Sequence, residues 1–159
     1  MKWTRVFATL ACVAALGAVG IARAAPAPRQ ESPYVGADAC KDCHGAIHES
    51  WAATAHARAL LRLSATDQAG GQCIRCHVTG SPEQIAGEGA SPSFPGVQCE
   101  ACHGAGRAHA AAAAAGTPQA SRLVKTPAEK ACTRCHSEES PHYSPFFYAA
   151  MKGLVHRMR

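Results

Sequence analysis

Apolar and polar positions change rhythm several times along the chain. Val6 to Ile21 is an unbroken apolar or small-residue run behind the basic Lys2 and Arg5, and it closes on "ARA" at 22–24. That order of basic, apolar and small-x-small segments predicts a secretory signal peptide over 1–24, cut after Ala24. An uncleaved anchor fits less well, because the run is short of about 20 residues and rich in Ala and Gly. Cys12 lies within it, but Thr9 stands where a lipid-anchored start would want Leu. Residues 25–33 are Pro-rich and polar and predict a flexible leader. From Tyr34 the pattern changes. Ile47, Trp51, Ala55 and Ala59 recur every four residues, which predicts one helical face within 36–64. "SATDQAGGQ" (64–72) reads as a linker. "GSPEQIAGEGASPSFPG" (80–96) has no apolar period and predicts a long loop. The Ala run at 108–115 predicts a helix stopped by Gly116 and Pro118. "TPAE" (126–129) has the form of a capping box with Pro at the first helical position. "SPFF" (144–147) predicts another start, with Ser144 as cap and Tyr148, Met151 and Val155 turned inward. No segment alternates with period two. The pattern predicts a mainly α domain over 34–159, made of short helices and long loops without a significant sheet.

Composition changes this picture in one respect. The chain has 159 residues, and 159 less 24 leaves 135, enough for one small domain. Lys2, Arg5 and Arg23 leave with the signal, so 13 basic side chains face 11 acidic ones. With no basic run and no aromatic-basic cluster, nucleic acid is excluded as a partner. The informative residues are the cysteines. Of nine, all but Cys12 fall in four pairs, and a secreted chain keeps such thiols only if they are used.

Each pair has two residues between its cysteines and a histidine directly after: "CKDCH" (Cys40, Cys43, His44), "CIRCH" (Cys73, Cys76, His77), "CEACH" (Cys99, Cys102, His103) and "CTRCH" (Cys132, Cys135, His136). Nine histidines give about 6% per position, so four hits in four by chance come to roughly one in 10⁵. C-x-x-C-H is the attachment site of a c-type haem. Two thiols three residues apart lie on one side of a turn and each can form a thioether, while the next residue offers its imidazole to the iron. Four such sites predict four haem c groups, which would fill most of the interior of so short a chain. Two Cys₄ zinc sites leave the four histidines unexplained, as do paired disulfides or a thioredoxin-like redox pair. About eight propionates would make the loaded domain net negative.

Five histidines remain to serve the far sides of the irons: His48, His56, His109, His142 and His156. On a continuous helix His48 leaves from the same side as His44, and His56 lies about 18 Å along the axis, so neither caps the iron of His44. Met151 and Met158 are weaker candidates, Met151 reading as core. Trp51, Phe146, Phe147 and Tyr148 read as packing against porphyrin faces.

"YVGADACKDCH", "TAHARAL", "CIRCHVTG", "FPGVQCEACHGAGRAH" and "ACTRCH" followed by "PFFYAAMKGLVH" resemble the tetrahaem cytochromes c of the c-554 type, the family of the electron acceptor of hydroxylamine oxidoreductase. Related haem clusters occur in multihaem nitrite reductases. The resemblance covers Tyr34 to His156. It implies His109 opposite His44, His56 opposite His103 and His156 opposite His136. It leaves the second haem, at His77, without a protein ligand on its far side, a place that His48 or His142 is available to fill. It implies a periplasmic electron carrier rather than an enzyme. The partners it implies are redox proteins such as a multihaem oxidoreductase or a quinol-oxidising membrane cytochrome. A small-nitrogen-oxide reductase or sensor at an open second haem is the alternative, although the C-x-x-C-K site of pentahaem nitrite reductases is missing. A subunit of a larger multihaem assembly, or an oligomer, is a second alternative.

Overall fold

The computed structural model describes residues 32–69, 71–80 and 94–156. All of these lie in one compact unit, residues 31–159. The predicted signal peptide, most of the predicted leader and of the predicted loop at 80–96, and Met158 lie outside the described residues.

The elements are short and helical, as the absence of period-two alternation predicts. They are α1 (Asp38–Ala52), a 3₁₀ turn η1 (Leu60–Arg62), α2 (Ala65–Ala69), α3 (Gly71–His77), α4 (Cys99–His103), α5 (Arg107–Ala114), η2 (Pro118–Ala120), α6 (Glu129–Thr133), α7 (Tyr148–Met151) and η3 (Lys152–Leu154). Among the described residues no strand forms. One isolated antiparallel bridge joins Val78 to Pro95. Around it, Thr79 N–H donates to Phe94 O (2.9 Å) and Gly96 N–H to His77 O (3.1 Å).

Several expected boundaries move. The four-residue rhythm from Ile47 outlasts its helix, because α1 ends at Ala52 and the chain turns through 53–59. Trp51 and Ala59 are buried, but Ala55 is exposed. Within α1, His44 has φ −120° and ψ 36°, so two helical pieces meet there at a kink. The arguments that placed His48 and His56 along one straight axis lose their premise. The predicted linker is largely helical as α2 and α3. The capping box at 126–129 does not form: α6 opens after Ala128, with no side-chain cap. Pro127 cannot donate, and its carbonyl takes the Tyr148 hydroxyl instead (2.5 Å). Ser144 caps nothing either, since α7 begins only at Tyr148. Tyr148, Met151 and Val155 are half-buried while Phe147 and Leu154 are exposed, so the inward face is as the sequence predicts. The Ala helix agrees within one residue and ends at Gly116 (φ +74°).

The core is small and partly polar. Its buried apolar members are Ala37, Trp51, Ala59, Ile74 and Val78, and its buried polar members are Thr79 and Glu100. Hydrogen bonds hold it together. Trp51 Nε1–H donates to Val97 O (2.9 Å), Thr79 Oγ1–H donates to Gly96 O (2.9 Å), and Gln98 N–H donates to Thr79 Oγ1 (2.8 Å). Gln98 Oε1 accepts from Ala37 N–H (2.6 Å) at the start of α1. Gly96 sits where these meet. Its φ is +85°, and a Cβ there would lie 2.5 Å from Ala57 O, so backbone approaches backbone where no side chain fits. Val97 N–H then reaches His56 O (2.8 Å). The turn after α1, which carries His56, is thereby fastened to the segment that leads into α4.

Candidate haem-binding centres

Each attachment turn lies on or at the end of a short helix. Cys40, Cys43 and His44 are on α1, the second set ends α3, the third is α4 itself, and Cys132 is on α6 with Cys135 and His136 in the turn after it. His136 N–H still donates to Cys132 O (3.0 Å), so the last turn keeps the helical path. One turn puts both sulfurs on one side, as thioether formation requires.

The imidazoles are oriented by the backbone. Nδ1 of His77 lies 2.7 Å from Ala59 O, that of His103 2.5 Å from Val124 O, and that of His109 2.7 Å from Ser121 O. A carbonyl only accepts, so each Nδ1 is the donor and each Nε2 keeps its lone pair for a metal.

Histidine rings meet in three pairs. His44 and His109 have centroids 6.5 Å apart with planes 18° off parallel. His103 and His156 are 6.1 Å and 29° apart. His56 and His136 are 6.0 Å apart and crossed at 72°. A metal–nitrogen bond of about 2 Å, plus about 1 Å from nitrogen to ring centre, doubles to about 6 Å for two imidazoles on opposite sides of one ion. The spacing fits an iron held between each pair. Burial, and then the neighbouring His136, lower the pKa of His56; burial, and then His103, lower that of His156. Both shifts favour the neutral imidazole, the form that binds a metal. His156 Nδ1 is buried without a partner.

Two of these pairs differ from those the resemblance implies. His56 faces His136 rather than His103, and His156 faces His103 rather than His136. The cause is local. The turn at 53–59 is held by Gly96 and Val97, while His156 comes after η3 at the end of a separate segment. His109 opposite His44 agrees. Among the described residues no histidine ring pairs with His77. His48 lies instead against Trp51, with ring centroids 5.4 Å apart, and its Nε2 is 3.7 Å from Asp38 Oδ1. His142 is exposed in a turn. Phe146 stacks on His136 at 4.9 Å and 18°, while Trp51 packs within the protein core and Phe147 is exposed.

The four turns adjoin one another. The thiols of Cys40 and Cys99 lie close enough to act on each other, which lowers the pKa of Cys40 and, with burial, raises that of Cys99. Cys102 and Cys132 are both pushed up, mainly by burial, and Cys132 adds to the shift of Cys102. Arg134 donates to Ala101 O (2.5 Å). Burial, and then Cys76, push Cys135 up to about 12. The third turn thus neighbours the first and the fourth, and the second turn neighbours the fourth and, through Thr79 and Gln98, the third. Sequence reasoning missed Glu100, Gln98, Thr79 and Gly96, the residues that fasten this arrangement. A charged residue inside an attachment motif was the one available signal.

Residues 39–104, which contain the first three attachment turns, match the family described as cytochrome c554 and c-prime. Cytochrome c-554 of Nitrosomonas europaea is 34% identical, over 48% of this chain and 40% of the relative. The chain thus spans about two fifths of the length of that relative. The solved structure of reduced cytochrome c554 from Nitrosomonas europaea is 27% identical and covers 77% of this chain and 78% of that one, with a TM-score of 0.47. Attachment motifs and the partial family match point the same way: the chain resembles the multihaem cytochromes c. Within that class it resembles the cytochrome c554 type.

Proposed function

We propose that the chain is an exported, periplasmic electron-transfer protein that binds four haem c groups, one at each attachment turn. The observation that carries this reading is the set of three histidine pairs at 6.0–6.5 Å. In it His44, His77, His103 and His136 hold iron from the attachment side. His109, His156 and His56 would be the second ligands of the first, third and fourth irons. Bound haem c supplies one-electron chemistry. The protein residues keep each centre the same in both oxidation states. Carbonyls of Ala59, Val124 and Ser121 fix the tautomers of His77, His103 and His109, and at the first, third and fourth centres a histidine on each face would leave no position for an exogenous ligand. The four turns adjoin one another as one connected set, which supports electron passage between them. Donor and acceptor are redox proteins, for which a multihaem oxidoreductase and a quinol-oxidising membrane cytochrome are the candidates.

The second reading, a small-nitrogen-oxide reductase or sensor, is favoured by His77 alone, the one attachment histidine without a paired ring among the described residues. Low-temperature EPR of the oxidised holoprotein, with haem quantified, before and after nitric oxide, separates the two. Low-spin iron throughout and no nitrosyl species is the result for a carrier. A high-spin signal of about one haem that changes with nitric oxide would move the function to the second turn.

A further inference from the structure

Glu100 stands between the cysteines of the third attachment turn, yet it is 2% exposed. Its carboxylate accepts from three backbone N–H groups in two other segments. Val35 N–H lies 3.0 Å from Oε1 and 3.2 Å from Oε2, Gly36 N–H 2.8 Å from Oε2, and Gly106 N–H 2.6 Å from Oε1. Accepting on every side is the pattern of an ionised carboxylate. Backbone dipoles stabilise such a charge but do not cancel it.

Each segment it grips leads into the first centre. Val35 and Gly36 lie just before α1, which carries Cys40 and His44. Gly106 is the N-cap of α5, and His109 follows three residues on. A Cβ on Gly106 would lie 2.9 Å from Glu100 Oε1, so the carboxylate fills the space of a side chain there. Arg107 N–H donates to Pro33 O (3.0 Å) and braces the same junction. The charge also acts on the thiols of Cys40 and Cys99.

We propose that Glu100, although part of the third attachment motif, is the positioning residue of the first centre: it fixes His44 opposite His109 and places a buried negative charge between the first and third turns. A fixed negative charge stabilises ferric over ferrous iron, so it holds the potentials there down. This rests on His44 and His109 being the two ligands of one iron.

The test uses holoprotein with haem content confirmed by mass. Glu100→Gln keeps the size and removes the charge. The expected result is an upward shift of one or two of the haem potentials, equivalent to about tenfold in the oxidised-to-reduced ratio at fixed poise, or about 59 mV for one electron. Glu100→Asp keeps the charge but is one methylene too short for all three donors. It is expected to alter the low-spin EPR signal of one haem while every potential stays within about twofold of wild type by the same measure. Potentials unchanged in Glu100→Gln overturn the charge, and an unchanged EPR spectrum in Glu100→Asp overturns the positioning. Should Glu100→Gln not accumulate as holoprotein, the EPR spectrum of Glu100→Asp decides alone. His109→Ala separates the underlying reading: one haem turning high-spin upholds the ligand pair, and no change in spin state removes that pair while the potentials still judge the charge.

Discussion

The segment from Ala37 to Gly106 and the segment from Arg107 to His156 carry the same kind of attachment motif but are held differently. Among the described residues every buried one lies in the first, apart from Gly36 directly before it, and there apolar side chains, a carboxylate and an amide interlock. The second has none. Its order rests on short hydrogen bonds such as Tyr148 to Pro127, on the ring contact of His136 with Phe146, and on that of His156 with His103 of the first segment. The first region also contains the whole stretch, 39–104, that matches the cytochrome c554 family. A chain this small can build one conventional core, and it builds it around three attachment turns. The fourth turn lies outside that core, and its His136 packs against Phe146 and against His56 from the first region.

The largest effect that would break this comparison is loss of the fourth attachment. Cys132→Ala with Cys135→Ala should give a protein one haem lighter in which trypsin cuts within 107–156 while 34–104 survives. Equal resistance in both regions would remove the distinction. Next is Gly96→Ala, which places a Cβ against Ala57 O at positive φ and should cost about 2–4 kcal/mol in denaturant unfolding. A mutant within about 0.5 kcal/mol of wild type would show that the 53–59 turn is not fastened there. Trp51→Phe removes the donor to Val97 O and should cost about 1–2 kcal/mol, without changing the visible spectrum, because the ring packs in protein.

The mildest effect is acidification, and it probes the histidines. The pKa of His56 and of His156 is lowered in the fold, so the unfolded chain takes up protons first. Their contribution to stability is complete above the ordinary histidine value of about 6.5 and is lost as pH falls through the lowered folded values. Metal ligation acts with the same sign, since a proton and iron compete for one nitrogen. A pH series of thermal unfolding should lose that slope in a His56→Ala, His156→Ala double variant.

Much of this was legible in the sequence. Four C-x-x-C-H repeats announce the cofactor, because attachment chemistry acts within five residues. The Ala helix and the inward face of α7 follow from propensity and period. What the sequence hid is long-range. The rhythm of Ile47, Trp51, Ala55 and Ala59 points to a longer helix, but the turn at 53–59 is bent by contacts with Gly96 and Val97, about 40 residues on. The pairing of His56 with His136 and of His156 with His103 depends on that bend and on where the chain returns, which no local pattern encodes. Glu100 reads as a solvated charge until its three donors, 64 and 65 residues before it and six after, are seen.

The single bridge between Val78 and Pro95 sets how the chain tolerates change of length. It clamps the two ends of the segment 80–93 side by side, with Thr79 and Gly96 bonded across it. Once the ends of a loop are joined, lengthening what runs between them costs only about 0.6 kcal/mol per doubling. An inserted peptide there would leave His77 and Gln98 where they stand, so this is the position at which an affinity tag or an electrode-binding peptide belongs.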